Sequence, residues 1–239
     1  MLLGLRHTGI SGETCDRETN LNFTKNLVGS LMAATILLPM AAHAAPTLRF
    51  SVDGGASVTC ADGDACDLSA TAGVVTFVGA VGSYNINITT GLGGGVSSTF
   101  LMDLNSVNLQ TGPGAHTLEI LFSDTGFTQL GFVGGSWGGT LSGLGSVSAS
   151  AAYAQSNALF DQANSLGSAG PFTGGAYSAN LAGAVVTAGP YSLTERLFIS
   201  STGALTYSGD LELKIPEPGA LALSGLGLLA LAVMRRRKS

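Results

Sequence analysis

Charge is what this chain has least of. Only 10% of its 239 residues are Asp, Glu, Lys or Arg, against about 25% in an ordinary soluble domain, so its solvated faces must be built from Ser, Thr, Asn and Gly. Between residues 45 and 214 the cations are Arg49, Arg196 and Lys214 alone, set against eleven carboxylates, a net charge of minus eight. That balance excludes a nucleic-acid binder, which needs a basic patch. It also discourages tight association with an anionic polysaccharide unless a cation bridges the two. Histidine is nearly missing: after residue 44 only His116 remains. There is no Cys-x-x-Cys pair. Catalysis needs convergent titratable groups, and Asp103, Glu119, Asp124 and Glu195 sit in no recognisable motif. No catalytic residue is assigned, and the chain reads as a non-enzyme.

What is present is concentrated at the ends. Four of the ten basic residues lie in the last five positions, as Arg235, Arg236, Arg237 and Lys238. Before them runs GALALSGLGLLALAVM, residues 219–234, sixteen uncharged positions that would extend about 24 Å as a helix. Pro218 and the snorkelling arginine stems lengthen the span toward the roughly 30 Å of a bilayer core. One transmembrane helix is therefore expected over residues 218–234. The basic cluster would hold its end on the cytoplasmic side. Pro216-Glu217-Pro218, just ahead, denies the preceding segment a helical start.

A proline-flanked Pro216-Glu217-Pro218, a Gly/Leu/Ala helix and an RRRK tail, in that order, resemble the PEP-CTERM sorting signal of Gram-negative exoproteins handled by exosortase. The resemblance covers residues 215–239. It implies an exported protein, held briefly in the inner membrane, clipped by exosortase, and associated with exopolysaccharide and biofilm or floc formation at the cell surface or in the matrix.

Export requires an N-terminal signal as well. Lys25 precedes the apolar stretch Leu27–Met40, and Ala42-His43-Ala44 supplies the small-x-small pattern of a signal-peptidase site. Cleavage is expected after Ala44, with Ala45 as the alternative, which brings in the Sec translocon and signal peptidase as partners. Residues 1–24 look like neither n-region nor domain; a mis-assigned start is the simplest account and an extended n-region the second. Three parts follow: a leader over 1–44, an exodomain over 45–214 and a sorting signal over 215–239.

The exodomain reads as all-β. Tyr84, Ile86 and Ile88 alternate with Ser83, Asn85, Asn87 and Thr89, the pattern of a half-buried antiparallel strand. Leu205, Tyr207, Leu211, Leu213 and Ile215 share one face, as do Tyr191, Leu193, Leu197 and Ile199 around Glu195. Leu118, Ile120 and Phe122, with Leu121 on the other face, suggest a central strand. Further strands are expected at 47–52, 74–79, 98–104, 125–133, 140–152 and 176–188. Turns are expected at Gly112-Pro113-Gly114, Gly134-Gly135, Gly138-Gly139 and Gly189-Pro190. Residues 152–166 read as a short helix or loop, and 165–175 as loop. The sum is an antiparallel β-sandwich of about 9–12 strands.

In an exported protein, Cys60 and Cys66, with five residues between them, read as a disulfide. The loop they enclose carries Asp62 and Asp64, with Asp67 following. Alternating Asp oxygens suit a hard cation such as calcium, although a solvated turn explains them as well. Closing the loop should raise the Asp pKa values by mutual repulsion unless a cation binds. No other cofactor is indicated. The alternative to a purely structural role is a carbohydrate-binding module, with Trp137, Tyr153, Tyr177 or Tyr191 stacking on sugars; the other reading of these aromatics is core.

Overall fold

Alternation at every second position does produce strands. The computed structural model describes residues 45–92, 102–187 and 189–214, and it is all-β and antiparallel with no helix among them. In chain order the strands are β1 (Thr47–Val52), β2 (Val58–Ala61), β3 (Val74–Val81), β4 (Tyr84–Leu92), β5 (Met102–Thr111), β6 (His116–Phe127), β7 (Gly131–Ala154), β8 (Asn164–Phe172), β9 (Gly175–Val185) and β10 (Tyr191–Lys214). The signal-peptidase residues Ala42 and Ala44, the 218–234 span, the Pro216-Glu217-Pro218 motif and the basic cluster Arg235–Lys238 lie outside the described residues. Among those described, no helix is long and apolar enough to cross a membrane.

Two long strands organise everything else. β7 and β10 each run 24 residues, which would reach about 80 Å if straight, roughly twice the diameter of a compact body of this size. They bend instead, and each serves two layers. Residues 191–201 of β10 pair with β6, while residues 205–213 pair with β5. Residues 147–153 of β7 pair with β8, while residues 131–141 pair with β9. One layer therefore runs β2-β1-β6-β10-β7-β8, the other β3-β4-β5-β10-β7-β9. The bend falls where the β7–β10 register shifts between Ser201 and Leu205. Gly143 sits there at φ +104, and a Cβ on it would run into the Ala204 carbonyl and Leu205 Cα.

The inner faces meet in one apolar core. Phe50 of β1 packs on Phe77 of β3 at 4.6 Å, and Trp137 of β7 on Phe172 of β8 at 5.3 Å. Each such side chain, fully buried, contributes about 1.5–3 kcal/mol.

The sequence expectations hold in kind and fail at particular glycines. Gly134-Gly135 and Gly138-Gly139 are not turns but the interior of β7, flanked on both sides by β9 and β10. Gly139 is there because a Cβ would meet Ser208 O at 2.5 Å and Tyr177 Oη at 2.7 Å. The expected strand 125–133 is two strand ends joined by Thr128–Leu130. The expected loop 165–175 contains β8, whose small residues hide any alternation and whose Pro171 is tolerated because β8 pairs on one side only. Residues 155–163 are loop, and the short strand β2 escapes the pattern entirely.

Candidate functional site

The two outer faces differ, and that difference locates the site. Over β1, β6 and β10 the loop 155–163 folds back: the Phe160 amide donates to Ser123 Oγ at 2.9 Å, the Gly126 amide to Asn157 Oδ1 at 2.8 Å, and Arg49 lies 4.2 Å from the Phe160 ring centre. Leu121, Ser123 and Thr194 are buried beneath it. Among the described residues the outer face of the other layer has no such cover.

On that open face the register lines polar side chains into rows. Val78, Asn87, Asn108, Ser208 and Thr140 lie side by side across β3, β4, β5, β10 and β7, and Ala80, Asn85, Gln110, Thr206 and Ser142 form the next row. These rows line a groove of about 480 Å³ without a single charged side chain. Four primary amides, Asn85, Asn87, Asn108 and Gln110, stand among its lining, a group type with a carbonyl acceptor and two donors. Asn85 and Asn87 are legible in the sequence as outward-facing. Their convergence with Asn108 and Gln110 is not, because it depends on cross-strand register.

Farther along the same face a second groove, about 430 Å³, is lined by Asp103, Asn105, Ser136, Ser178, Asn180, Asp210 and Glu212 among others. Asp103 lies directly across from Glu212, and Glu212 across from Ser136. Partial burial, then the charges of Glu212 and Asp210, push the Asp103 carboxyl up to about 6. Partial burial would raise Glu212 too, but hydrogen bonds from Lys214 at 2.6 Å and Ser136 at 2.5 Å outweigh it and hold that carboxyl below its ordinary range. Three carboxylates in no recognisable sequence motif thus converge, because strand pairing joins β5 to β10.

His116 is a strand-end clasp. Its Nδ1 lies 3.0 Å from Asp53 Oδ2, while Asp53 Oδ1 accepts from the Thr117 amide at 2.7 Å. That amide bond first, then His116, lowers the Asp53 pKa. The hydroxyls of Tyr84 and Ser201 bond the His116 carbonyl at 3.0 and 3.1 Å, not its ring.

Cys60 and Cys66 are joined as a disulfide, with Cys60 fully buried. The carboxylates around them serve as backbone caps. Asp62 Oδ2 accepts from the Gly73 amide at 2.7 Å and Asp64 Oδ2 from the Ala61 amide at 2.9 Å. Asp67 accepts from the amides of Gly63, Ser69 and Thr76. Slight burial would raise the Asp67 pKa, yet those three amides prevail and lower it, reversing the expected upward shift. Alkylation of the exported protein should modify neither cysteine until it is reduced. Replacing both by alanine should cost about 2 kcal/mol through loop entropy, read as a lower denaturation midpoint. Free thiols before reduction would overturn the pairing.

The aromatic candidates belong to the interior. Trp137 is 1% exposed and donates to Tyr207 Oη at 3.2 Å; Tyr153 and Tyr191 are buried. Tyr177 stacks on Phe172 at 4.6 Å. None of Trp137, Tyr153 and Tyr191 is placed to stack on a sugar, because their strand phase points them between the layers.

Residue 214 ends the described body, and the matched sequence begins there. A family model for the PEP-CTERM protein-sorting motif matches residues 214–238. The chain carries a PEP-CTERM sorting signal. With it come export, transient anchoring in the membrane and exosortase processing. The PEP-CTERM match leaves the exodomain untouched, and no curated protein matches the chain. Several solved structures are distantly similar, three of them as follows. The structure of TmCBM61 in complex with beta-1,4-galactotriose is 12% identical at TM-score 0.33, covering 58% of this chain and 92% of that one. The enzymatically active domain of bacteriophage CBA120 tailspike protein 4 is 15% identical at TM-score 0.33, covering 56% and 20%. Arabinose-bound MgGH51 α-L-arabinofuranosidase is 9% identical at TM-score 0.27, covering 59% and 23%. Scores this low carry nothing about ligand or activity.

Proposed function

We propose that the PEP-CTERM exodomain is a non-catalytic surface or matrix component that holds neutral exopolysaccharide in the amide-lined groove between β3 and β10. Delivery runs through the Sec translocon and signal peptidase, with exosortase acting at the tail, and the setting is a biofilm or floc matrix. The observation that carries the reading is the uncharged groove itself. Asn85 and Asn87 on β4 and Gln110 on β5 carry amide donors and acceptors on neighbouring strands about 4.8 Å apart, a ladder suited to sugar hydroxyls. A body of net charge minus eight would repel uronic-acid chains but not neutral ones.

Affinity electrophoresis of the exported protein through gels containing dextran, galactan, mixed-linkage glucan or alginate tests this. Retardation is expected by at least one neutral glycan and not by alginate. Asn87→Ala with Gln110→Ala should weaken binding about tenfold or more, since each lost hydrogen bond is worth about 1 kcal/mol. Unretarded migration in every neutral gel sinks the proposal. The opposed Asp103 and Glu212 offer the one alternative, an acid and a base in a single groove. Release of reducing ends that Asp103→Asn abolishes would reassign the protein as a hydrolase.

A further inference from the structure

Most of the exposed surface is polar, but one end of the open layer is not. Leu130, Phe132 and Val186 are 53%, 56% and 78% exposed. They sit together because Gly131 pairs with Val185 and Phe132 with Ala184, which puts the start of β7 beside the end of β9. Phe132 points away from the core, since its neighbour Val133 is the buried one. The loop before it is pinned in place: Tyr191 Oη donates to the Gln129 carbonyl at 2.7 Å. Three large apolar side chains thus lie together at a sheet end where no described residue covers them.

The same sheet end is where the chain leaves for the membrane. Lys214 pairs with Gly134, one strand over and two residues along from Phe132, a separation of roughly 8 Å by strand geometry. The uncharged run begins at Gly219, so the connecting stretch spans at most about 17 Å even fully extended. The headgroup region on each side of a bilayer is itself roughly 5–8 Å deep. A body tethered this closely keeps its 130–132 end at the lipid interface whenever the tail is inserted. Lys214 ends the last strand with Glu212 beside it at 2.6 Å, Glu217 is the one charge in the connecting stretch, and the apolar cluster itself carries no charge.

We propose that Leu130, Phe132 and Val186 form a membrane-contact face that seats the exodomain on the non-cytoplasmic leaflet while the C-terminal tail spans the bilayer. The seat is geometrically tied to the tail, so exosortase cleavage removes the tether and leaves three side chains too few to retain the body. Their apolar area is then released with it.

The test uses the full chain reconstituted in vesicles of phosphatidylcholine with about a quarter phosphatidylglycerol, a composition chosen to give an anionic surface. An environment-sensitive fluorophore is attached through Phe132→Cys or, as the control on the remote uncharged groove, Val78→Cys, in a Cys15→Ser background. Spin-labelled lipid should quench the label at position 132 at least twofold more than at position 78. Adding Leu130→Ser and Val186→Ser should bring the two into line. Equal quenching at both positions with the tail inserted would overturn the proposal. So would a position-132 signal that depends on protein-to-lipid ratio and not on spin-labelled lipid, which would assign the patch to contacts between copies of the chain. A label on Leu130→Cys gives an independent reading if the position-132 variant folds poorly.

Discussion

Glu195→Met is expected to make the exodomain more stable, by about 1–3 kcal/mol at pH 8, the cost of a buried polar group left without partners. Glu195 lies on the inward face of β10 with no exposure, and neither carboxylate oxygen has a hydrogen-bond partner of normal geometry. Burial first, then the charges of Asp103 and Glu212, push its pKa well above the ordinary 4.5, and the Leu104 amide opposes them too weakly to matter. A carboxyl whose folded pKa is raised binds its proton more tightly folded than unfolded. Stability is then highest at low pH and falls as pH climbs from the unfolded value through the folded one. Asp103, raised to about 6, adds a decline of the same sign. Chemical denaturation across pH 5 to 9 should therefore show the wild type losing stability steadily, and Glu195→Met losing markedly less. A wild-type profile flat over that range would contradict the buried, protonated state.

The second large effect lies at the bend shared by the two layers. Gly143→Ala should cost on the order of 4 kcal/mol, combining backbone strain at positive φ with overpacking, each worth about 1–3 kcal/mol. Gly143 has φ +104, and a Cβ there meets the Ala204 carbonyl and lies 2.9 Å from Leu205 Cα. Backbone cannot step aside as a side-chain tip can. Gly112→Ala is the matched control: nothing lies within 4 Å of its Cβ position, so it should shift stability by less than about 0.5 kcal/mol. Comparable denaturation midpoints for the two variants would show that the bend tolerates a side chain.

These two residues also mark where sequence reading stops. Strand phase is local, so β1 is recovered over Thr47–Val52 and the inward face of β4 at Tyr84, Ile86 and Ile88. The same phase puts Glu195 among Leu193 and Leu197, inside. What it cannot supply is the partner, since nothing local says that no positive charge comes near. Nor does it distinguish a glycine that turns the chain, such as Gly112, from one that lets two backbones touch, such as Gly143 or Gly139. Both grooves escape for one reason: Asn87 meets Asn108, and Asp103 meets Glu212, across strand pairs separated by long stretches of sequence. Trp137 misleads as a sugar platform because residue type is visible in the sequence and burial is not.

The place of β10 in the sheet has a consequence for the order of events during export. It is the last strand of the body in sequence, yet it pairs with β5, β6 and β7. A chain crossing a membrane N-terminus first delivers β1 to β9 before it, and those strands pair only as three separate groups, β2-β1-β6, β3-β4-β5 and β8-β7-β9, until Tyr191–Lys214 joins them. Non-local pairing of this kind closes slowly, because the loop entropy is lost before the contacts form. The body therefore keeps its two layers unjoined until almost all of it has crossed. It can complete its two layers only as the apolar run behind Lys214 reaches the bilayer, so that arrest in the membrane and closure of the fold coincide.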